Sequence, residues 1–261
     1  MKILVAGATG SIGHLVVEEA LRRGHSVLAL VRSAAKARQL PAEAQTVIGD
    51  VTHTMSAAVN GVDAIVFTLG SDGAGKVGAE TVDYGGVRNI LLALGTRTAR
   101  IALMTAIGVT NRTGRYNQAT ESCDWKRRSE RPVRASGLPY TIVRPGWFDN
   151  NRADEHRLVF LQGDRRHAGD RSDGVIARRQ IAEILVHSLT SNEAMRKTFE
   201  LVASKGPAQE DLGPLFAALD LDSALDGVRD LENMPLDEEP QRTRDDLTRI
   251  KEQRQASEEM R

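Results

Sequence analysis

Residues 1–32 read MKILVAGATGSIGHLVVEEALRRGHSVLALVR. Ile3, Leu4 and Val5 form a short unbroken apolar run, the pattern of a strand buried on both faces. It runs directly into Gly7-Ala8-Thr9-Gly10-Ser11-Ile12-Gly13. Ile12, Leu15, Val16, Ala20 and Leu21 then recur at helical spacing, and Gly24 ends that helix. Val27 to Val31 supplies a second buried strand. Strand, glycine-rich turn, helix and strand make a βαβ unit suited to a dinucleotide. Glycines remove the Cβ atoms that would hold a pyrophosphate away from the backbone, and the helix start offers free N–H groups and a positive dipole end. Gly7, Thr9, Gly10, Ser11, Ile12 and Gly13 are therefore the candidate phosphate cradle.

Arg32 follows the second strand, 19 residues past Gly13. An acidic residue at that distance binds the ribose 2′-hydroxyl of NAD, whereas an arginine accommodates the 2′-phosphate of NADP. No Asp or Glu stands between Val31 and Ala35, while Ser33 and Lys36 add a hydroxyl and a second cation. The expected cofactor is NADP(H).

The chain has 261 residues, zero formal net charge and a pI near 7.0, so no global field draws it to nucleic acid or an anionic membrane. Its single cysteine, Cys123, excludes an internal disulfide and fits a reducing, cytoplasmic setting. Met1-Lys2-Ile3 leads straight into the first strand, leaving no room for a signal peptide. No apolar stretch approaches the roughly 20 residues that span a bilayer. The six histidines show no paired ligand spacing, so no metal site is expected.

Further along, 34–40 reads as a helix closed by Pro41, Thr46-Val47-Ile48 as a third strand, and 57–60 as a short helix. Ala64 to Leu69 is the fourth strand; Leu69, Gly70 and Ser71 fall where strand order reverses, at the cofactor crevice. The glycine-rich stretch 72–78 reads as a mobile loop, 80–94 as a helix and 101–104 as the fifth strand. One helix is expected over about 119–135, kinked or shifted by Pro132, with Arg127, Arg128, Arg131 and Arg134 as a solvated basic face. Tyr140 to Val143 is the sixth strand; 158–161 and 199–202 read as strands, 176–189 and 209–219 as helices. From Arg229 the charges interleave with few apolar residues, the signature of a solvated helix or a disordered tail.

GATGSIG at 7–13, the Val31-Arg32 pair, and SGLPYTIVRPGWF at 136–148, preceded by Lys126 and Glu130, together resemble the NmrA-like, NAD(P)-binding branch of the atypical short-chain dehydrogenase/reductases. The resemblance spans about residues 1–205. It implies a Rossmann-like, doubly wound parallel sheet with helices on both faces and a small C-terminal substrate-side region. On that basis 1–228 is a single NAD(P)-binding domain, its dinucleotide half at 1–146 and its substrate side at 147–228, and 229–261 is a charged tail. The resemblance also gives Asp50 and Val51 an adenine contact, with a capping aspartate as the alternative. It brings Pro145 and Gly146 beside the nicotinamide and makes Trp147 and Phe148 walls of the substrate pocket.

This superfamily normally transfers hydride with a Ser and a Tyr-x-x-x-Lys pair, tyrosine acting as the acid or base. Lys126 matches the lysine, but Ser122 stands at the tyrosine position and Ala106 at the serine position, leaving Thr105 as the nearest hydroxyl. Lys126 reads either as a partner of the nicotinamide ribose or as an i,i+4 partner of Glu130. Three functions compete: an NADPH-dependent reductase of a small carbonyl or quinone-like acceptor; a non-catalytic NADP redox sensor acting through a protein partner; and a non-redox isomerase that keeps the cofactor structurally. A homo-oligomer is compatible with each, and nucleic acid is not an expected partner.

Overall fold

Strand β1 (Lys2–Ala6) sits inside a sheet, and its two faces explain its unbroken apolar run. Ile3 and Val5 enter one core, Leu4 and Ala6 the other, all fully buried. The structure is a computed structural model that describes residues 1–259 apart from 54 and 72, with side chains to 256. After β1 come α1 (Ser11–Arg22), β2 (Ser26–Val31), α2 (Ala34–Ala37), β3 (Gln45–Ile48), β4 (Ala64–Phe67) and α3 (Gly75–Gly78). A π-helical stretch (Ala79–Tyr84) leads into α4 (Gly85–Leu94), then β5 (Arg100–Met104), α5 (Arg115–Thr120), α6 (Ser122–Ala135), β6 (Tyr140–Pro145) and β7 (Trp147–Phe148). The remainder comprises β8 (Arg157–Leu161), β9 (Val175–Ile176), α7 (Arg178–Ser188), β10 (Lys197–Ser204), α8 (Gly213–Ala217) and α9 (Gln241–Glu259).

Among the described residues the strands form one sheet, ordered β3-β2-β1-β4-β5-β6-β10-β9-β7, with β8 also on β10. Pairing is parallel from β3 to β10, whereas β8 and β9 run antiparallel to β10. The chain winds outward from β1 to β3, returns to β4 beside β1, and continues the other way. The fold is thus the expected doubly wound, Rossmann-like α/β sheet, with its switch point between β1 and β4. Helices α1 and α7 cover one face; α4, α6 and α9 cover the other.

Several elements differ from expectation. The helix expected over 119–135 is broken at Glu121, whose φ of 54° leaves the right-handed region, so α5 precedes a separate α6. Helix α6 starts at Ser122 instead of about 119 and continues through Pro132. Residues 57–60 form turns instead of a helix, and 75–78 of the expected loop are helical, while Asp72 lies outside the described residues.

The largest correction concerns charge. Arg127, Arg128, Arg131 and Arg134 are not a solvated face; each is at least 90% buried. Arg127 and Arg131 meet Asp226, Arg128 meets Glu239, and Arg134 meets Asp222 and Glu130. The segment read as a solvated or disordered tail supplies part of that cover. Met234, Leu247 and Ile250 are buried, and Tyr84 on the π-helical stretch donates to Asp246 of α9 at 2.8 Å. Composition suggested solvation because it counts charges without their partners. Here opposite charges meet across an interface, with apolar residues at intervals beneath them.

Candidate active site

The three glycines of the turn hold their places for different physical reasons. Gly7 has φ +92°, and a Cβ there would stand 2.7 Å from the Thr68 carbonyl oxygen. A Cβ on Gly13 would stand 2.0 Å from the Gly7 carbonyl oxygen, so α1 could not close on the turn. Gly10 has an ordinary extended backbone and is exposed, and its Cβ would meet only the Gly7 oxygen at 3.2 Å. Two glycines therefore serve packing, and the middle one is free of so severe a clash. No side chain caps the start of α1 and no acid stands in its first turn, so its positive end is available to an anion. Thr9 is half-buried, Ser11 is exposed at the first helical position, and Ile12 is buried beneath them.

Arg32, Ser33 and Lys36 are all exposed just past the carboxyl end of β2. Ser33 caps α2, its hydroxyl oxygen accepting the Lys36 N–H at 3.4 Å. Asp50 accepts the backbone N–H of Thr52 at 2.9 Å and its hydroxyl at 2.8 Å. Those two bonds, with a smaller contribution from the positive charge of Arg32, hold its carboxyl below the usual range. The capping alternative for Asp50 is thus present, at one of its two oxygens. A Cβ on Gly86 would meet Leu69 at 2.6 Å and Val51 at 3.1 Å, so these side chains share one apolar patch on α4.

At the end of β4 the polar groups form a chain. Gly70 is exposed, and Ser71 donates to Asp83 at 3.0 Å. The other Asp83 oxygen accepts from Lys126 at 3.2 Å. Asp83 is buried on the π-helical stretch, a local widening of the helix often found at functional sites. Lys126 therefore does not pair with Glu130. Glu130 points the other way, into a fully buried network with Arg134 at 3.0 Å and Arg144 at 2.7 Å. Burial alone would push Glu130 up, but the two guanidiniums outweigh it and hold it at about 2.

Thr105, Ser122 and Tyr84 are drawn away from solvent. Thr105 is buried and its hydroxyl donates to Glu130 at 2.8 Å. Ser122 is buried. Burial, and then the charge of Asp246, drive the Tyr84 phenol well above its ordinary range. Burial also pushes the Cys123 thiol up to about 11. Tyr116 is 66% exposed on α5.

Beyond β6, the Ile107 N–H donates to the Pro145 carbonyl and the Gly146 N–H to Leu201, both at 3.0 Å. A Cβ on Gly146 would stand 2.5 Å from the Gly174 carbonyl oxygen, so the backbone passes close there. Trp147 is 42% exposed. Phe148 is half-buried beneath the Arg178 guanidinium, 5.1 Å from the ring centre. Arg178, which no sequence signal singled out, pairs with Asp149 and also donates to Ser11 beside the glycine turn at 3.1 Å. Asp83 escaped the sequence reading as well, since nothing local marks its link to Lys126. Among the described residues no group of three or more His, Cys, Asp or Glu side chains is arranged to hold a metal, and no helix is long and apolar enough to cross a membrane.

A glycine turn at the switch point, open at its middle glycine and followed by an uncapped helix, defines a dinucleotide-binding protein of Rossmann type. The family model described as NAD(P)H-binding matches residues 7–192, and the chain belongs to that family. It is 30% identical over 223 residues to an uncharacterized sugar epimerase, YhfK, of Bacillus subtilis, covering 82% of this chain and all of that one. It is 27% identical over 266 residues to the sanguinarine reductase of Eschscholzia californica, covering 83% and 95%. Among solved structures it shares the fold of the oxidoreductase ylbE from Lactococcus lactis, with a TM-score of 0.62, 18% identity, and 84% and 96% covered.

Proposed function

We propose that this protein is an NADP(H)-dependent reductase that passes hydride to a small carbonyl or quinone-like acceptor, as an NmrA-like member of the atypical short-chain group. The observation that carries the cofactor choice is the exposed trio Arg32, Ser33 and Lys36 beside the open Gly10 turn, with no carboxylate in residues 31–35 to claim a ribose. The sanguinarine reductase relative supports a reductase, and the sugar epimerase relative, itself uncharacterized, supports the isomerase alternative. When bound, the cofactor supplies the hydride.

The chain's residues divide the remaining work. The uncapped start of α1 binds phosphate. Arg32 and Lys36 hold the 2′-phosphate as charge-assisted donors, and Asp50 and Val51 border the adenine. Lys126, anchored by Asp83, is the cation offered to the nicotinamide ribose, while Pro145 and Gly146 form the backbone beside the ring. Trp147 and Phe148 wall the acceptor. With Thr105, Ser122 and Tyr84 buried, the site forgoes their help as proton donors, and such assistance usually contributes about 10²–10⁴-fold. The favoured acceptors are therefore those whose reduced oxygen is stable as an anion until water protonates it, quinones before simple ketones. The inward turn of Thr105, Ser122 and Tyr84 equally favours a second reading, a redox sensor that holds NADP(H) without turnover.

Fluorescence titration tests the cofactor choice. NADPH should bind at least about tenfold tighter than NADH, or about 1.4 kcal/mol, and Arg32→Asp should erase the difference. Equal affinities in the wild type would refute it. Consumption of NADPH against a quinone and aldehyde panel then separates the readings: quinone turnover supports the reductase, brisk ketone turnover overturns the acceptor preference, and none with any acceptor leaves the sensor.

A further inference from the structure

A cavity of about 390 Å³ opens beside the carboxyl ends of β5 and β6, bordered by Ile107 and Phe160. It lies between the segment after β8 and the turn that follows α8. The loop on its rim is tied down by Asp164, which accepts the N–H groups of Gly108 at 2.6 Å and Thr110 at 2.7 Å. Three arginines line it, Arg165, Arg166 and Arg229, and its one acid is Glu200. Arg229 pairs with Asp220, but Arg165 and Arg166 donate to the carbonyls of Arg229 and Asp173, so those bonds leave both charges uncompensated.

Glu200 does not cancel them. It is the outermost of three carboxylates on Arg144: Glu130 and Asp230 each hold that guanidinium at 2.7 Å, Glu200 only at 3.4 Å. Burial, with Asp164 and Asp230 beside it, pushes Glu200 up to about 8 against the pull of Arg144 and the Asp164 N–H. Near neutral pH it is mostly an uncharged acid, and the cavity is left with an excess of positive charge.

We infer that this cavity is the anion-binding part of the acceptor site, reached past Trp147 through Gly174 beside Arg166, and that it takes a flat organic anion, a carboxylate seated on Arg165 and Arg166 with its apolar body against Ile107 and Phe160. The word acceptor rests on the reductase reading above; the anion preference does not. Apolar walls with a few cationic donors are the usual make-up of a site for an amphiphilic small molecule. The groups facing Glu200 are Arg144 of β6, Asp164 with His167 beside it, Asp230 of the C-terminal segment and, behind Arg144, Glu130 of α6. Glu130 and Asp164 are held low while Glu200 is pushed upward, so its ionisation adds negative charge to the cavity as pH rises.

The test uses the full chain, with and without NADP⁺, and two probes of one shape: naphthalene-2-carboxylate and its neutral carboxamide, titrated by calorimetry. The carboxylate should bind at least about tenfold tighter, and Arg165→Gln with Arg166→Gln should remove that advantage while leaving carboxamide and NADPH affinities unchanged. Raising the pH from about 7 to about 9.5 should weaken carboxylate binding several-fold in the wild type and not in Glu200→Gln. Equal binding of the two probes, indifference to the paired arginine change, or no carboxylate binding at millimolar concentration would overturn the inference. A protein that binds the carboxylate with these dependences but fails to bind NADPH would refute the cofactor reading alone.

Discussion

Gly10 and Gly13 stand three residues apart, yet they should fail in different ways. Valine at position 10 meets an ordinary extended backbone and one tight contact, its Cβ 3.2 Å from the Gly7 oxygen, so Gly10→Val should still fold, with a smaller loss of stability than at position 13, and lose NADPH binding. Alanine at position 13 drives a Cβ to 2.0 Å from the Gly7 oxygen, which only a shift of α1 relieves. Overpacking of that kind costs about 1–3 kcal/mol, so Gly13→Ala should lower the melting temperature as well as the affinity. A thermal melt with a calorimetric titration of each variant decides it. Normal NADPH binding by Gly10→Val would mean that the turn does not cradle the phosphates. The glycine spacing was legible in the sequence, whereas the division of labour within it needed the positions of Thr68 and the Gly7 carbonyl.

At the scale of the element, α6 and α9 change the account most. Helix α6 carries four arginines that sequence reads as solvated, and α9 belongs to a segment that sequence reads as detached. In the fold Leu247 and Ile250 of α9 are buried, and Asp246 takes the Tyr84 hydroxyl at 2.8 Å. Burying an aliphatic side chain is worth about 1.5–3 kcal/mol, so removing residues 242–261 should cost about 3–6 kcal/mol. For a chain of this size, even the lower figure should lower the melting temperature by about 6–12 °C. An unchanged melting curve after truncation would show that α9 contributes little. Nothing in the sequence pairs α9 with the π-helical stretch, because the contact bridges positions 84 and 246.

For the whole molecule, the buried carboxyls set the pH range of stability. Glu130 and Asp164, ordinarily near 4.5 and 3.8, are both held at about 2 against burial, Glu130 by Arg144 and Arg134 and Asp164 chiefly by His167 and Arg144. Their folded values are depressed, so the stability they contribute is present above the ordinary values and lost as pH falls toward about 2. Glu200 runs the opposite way, raised from 4.5 to about 8. Its contribution is complete below about 4.5 and lost as pH rises through about 8. Urea midpoints measured across pH should therefore decline on both sides, and Glu200→Gln should remove part of the alkaline decline only. A wild-type profile that stays flat from about pH 5 to about pH 9 would exclude this role for Glu200.

What the sequence determined by itself is the sheet and the family. Apolar runs buried on both faces, a glycine turn before a helix, and an arginine after the second strand are local signals, each complete within about 30 residues. They led to the doubly wound fold, to its switch point, and to membership of the NAD(P)H-binding family. Only the tertiary structure decided where the charges go. Arg134 meets Asp222, Arg128 meets Glu239, Lys126 meets Asp83 instead of Glu130, and Thr105 turns inward to Glu130. A charge reads as solvated until its partner is known, and here those partners come from distant parts of the chain. Glu200 shows the same dependence most sharply: buried beside an arginine already held by two closer carboxylates, it keeps a proton that no local pattern could have assigned to it.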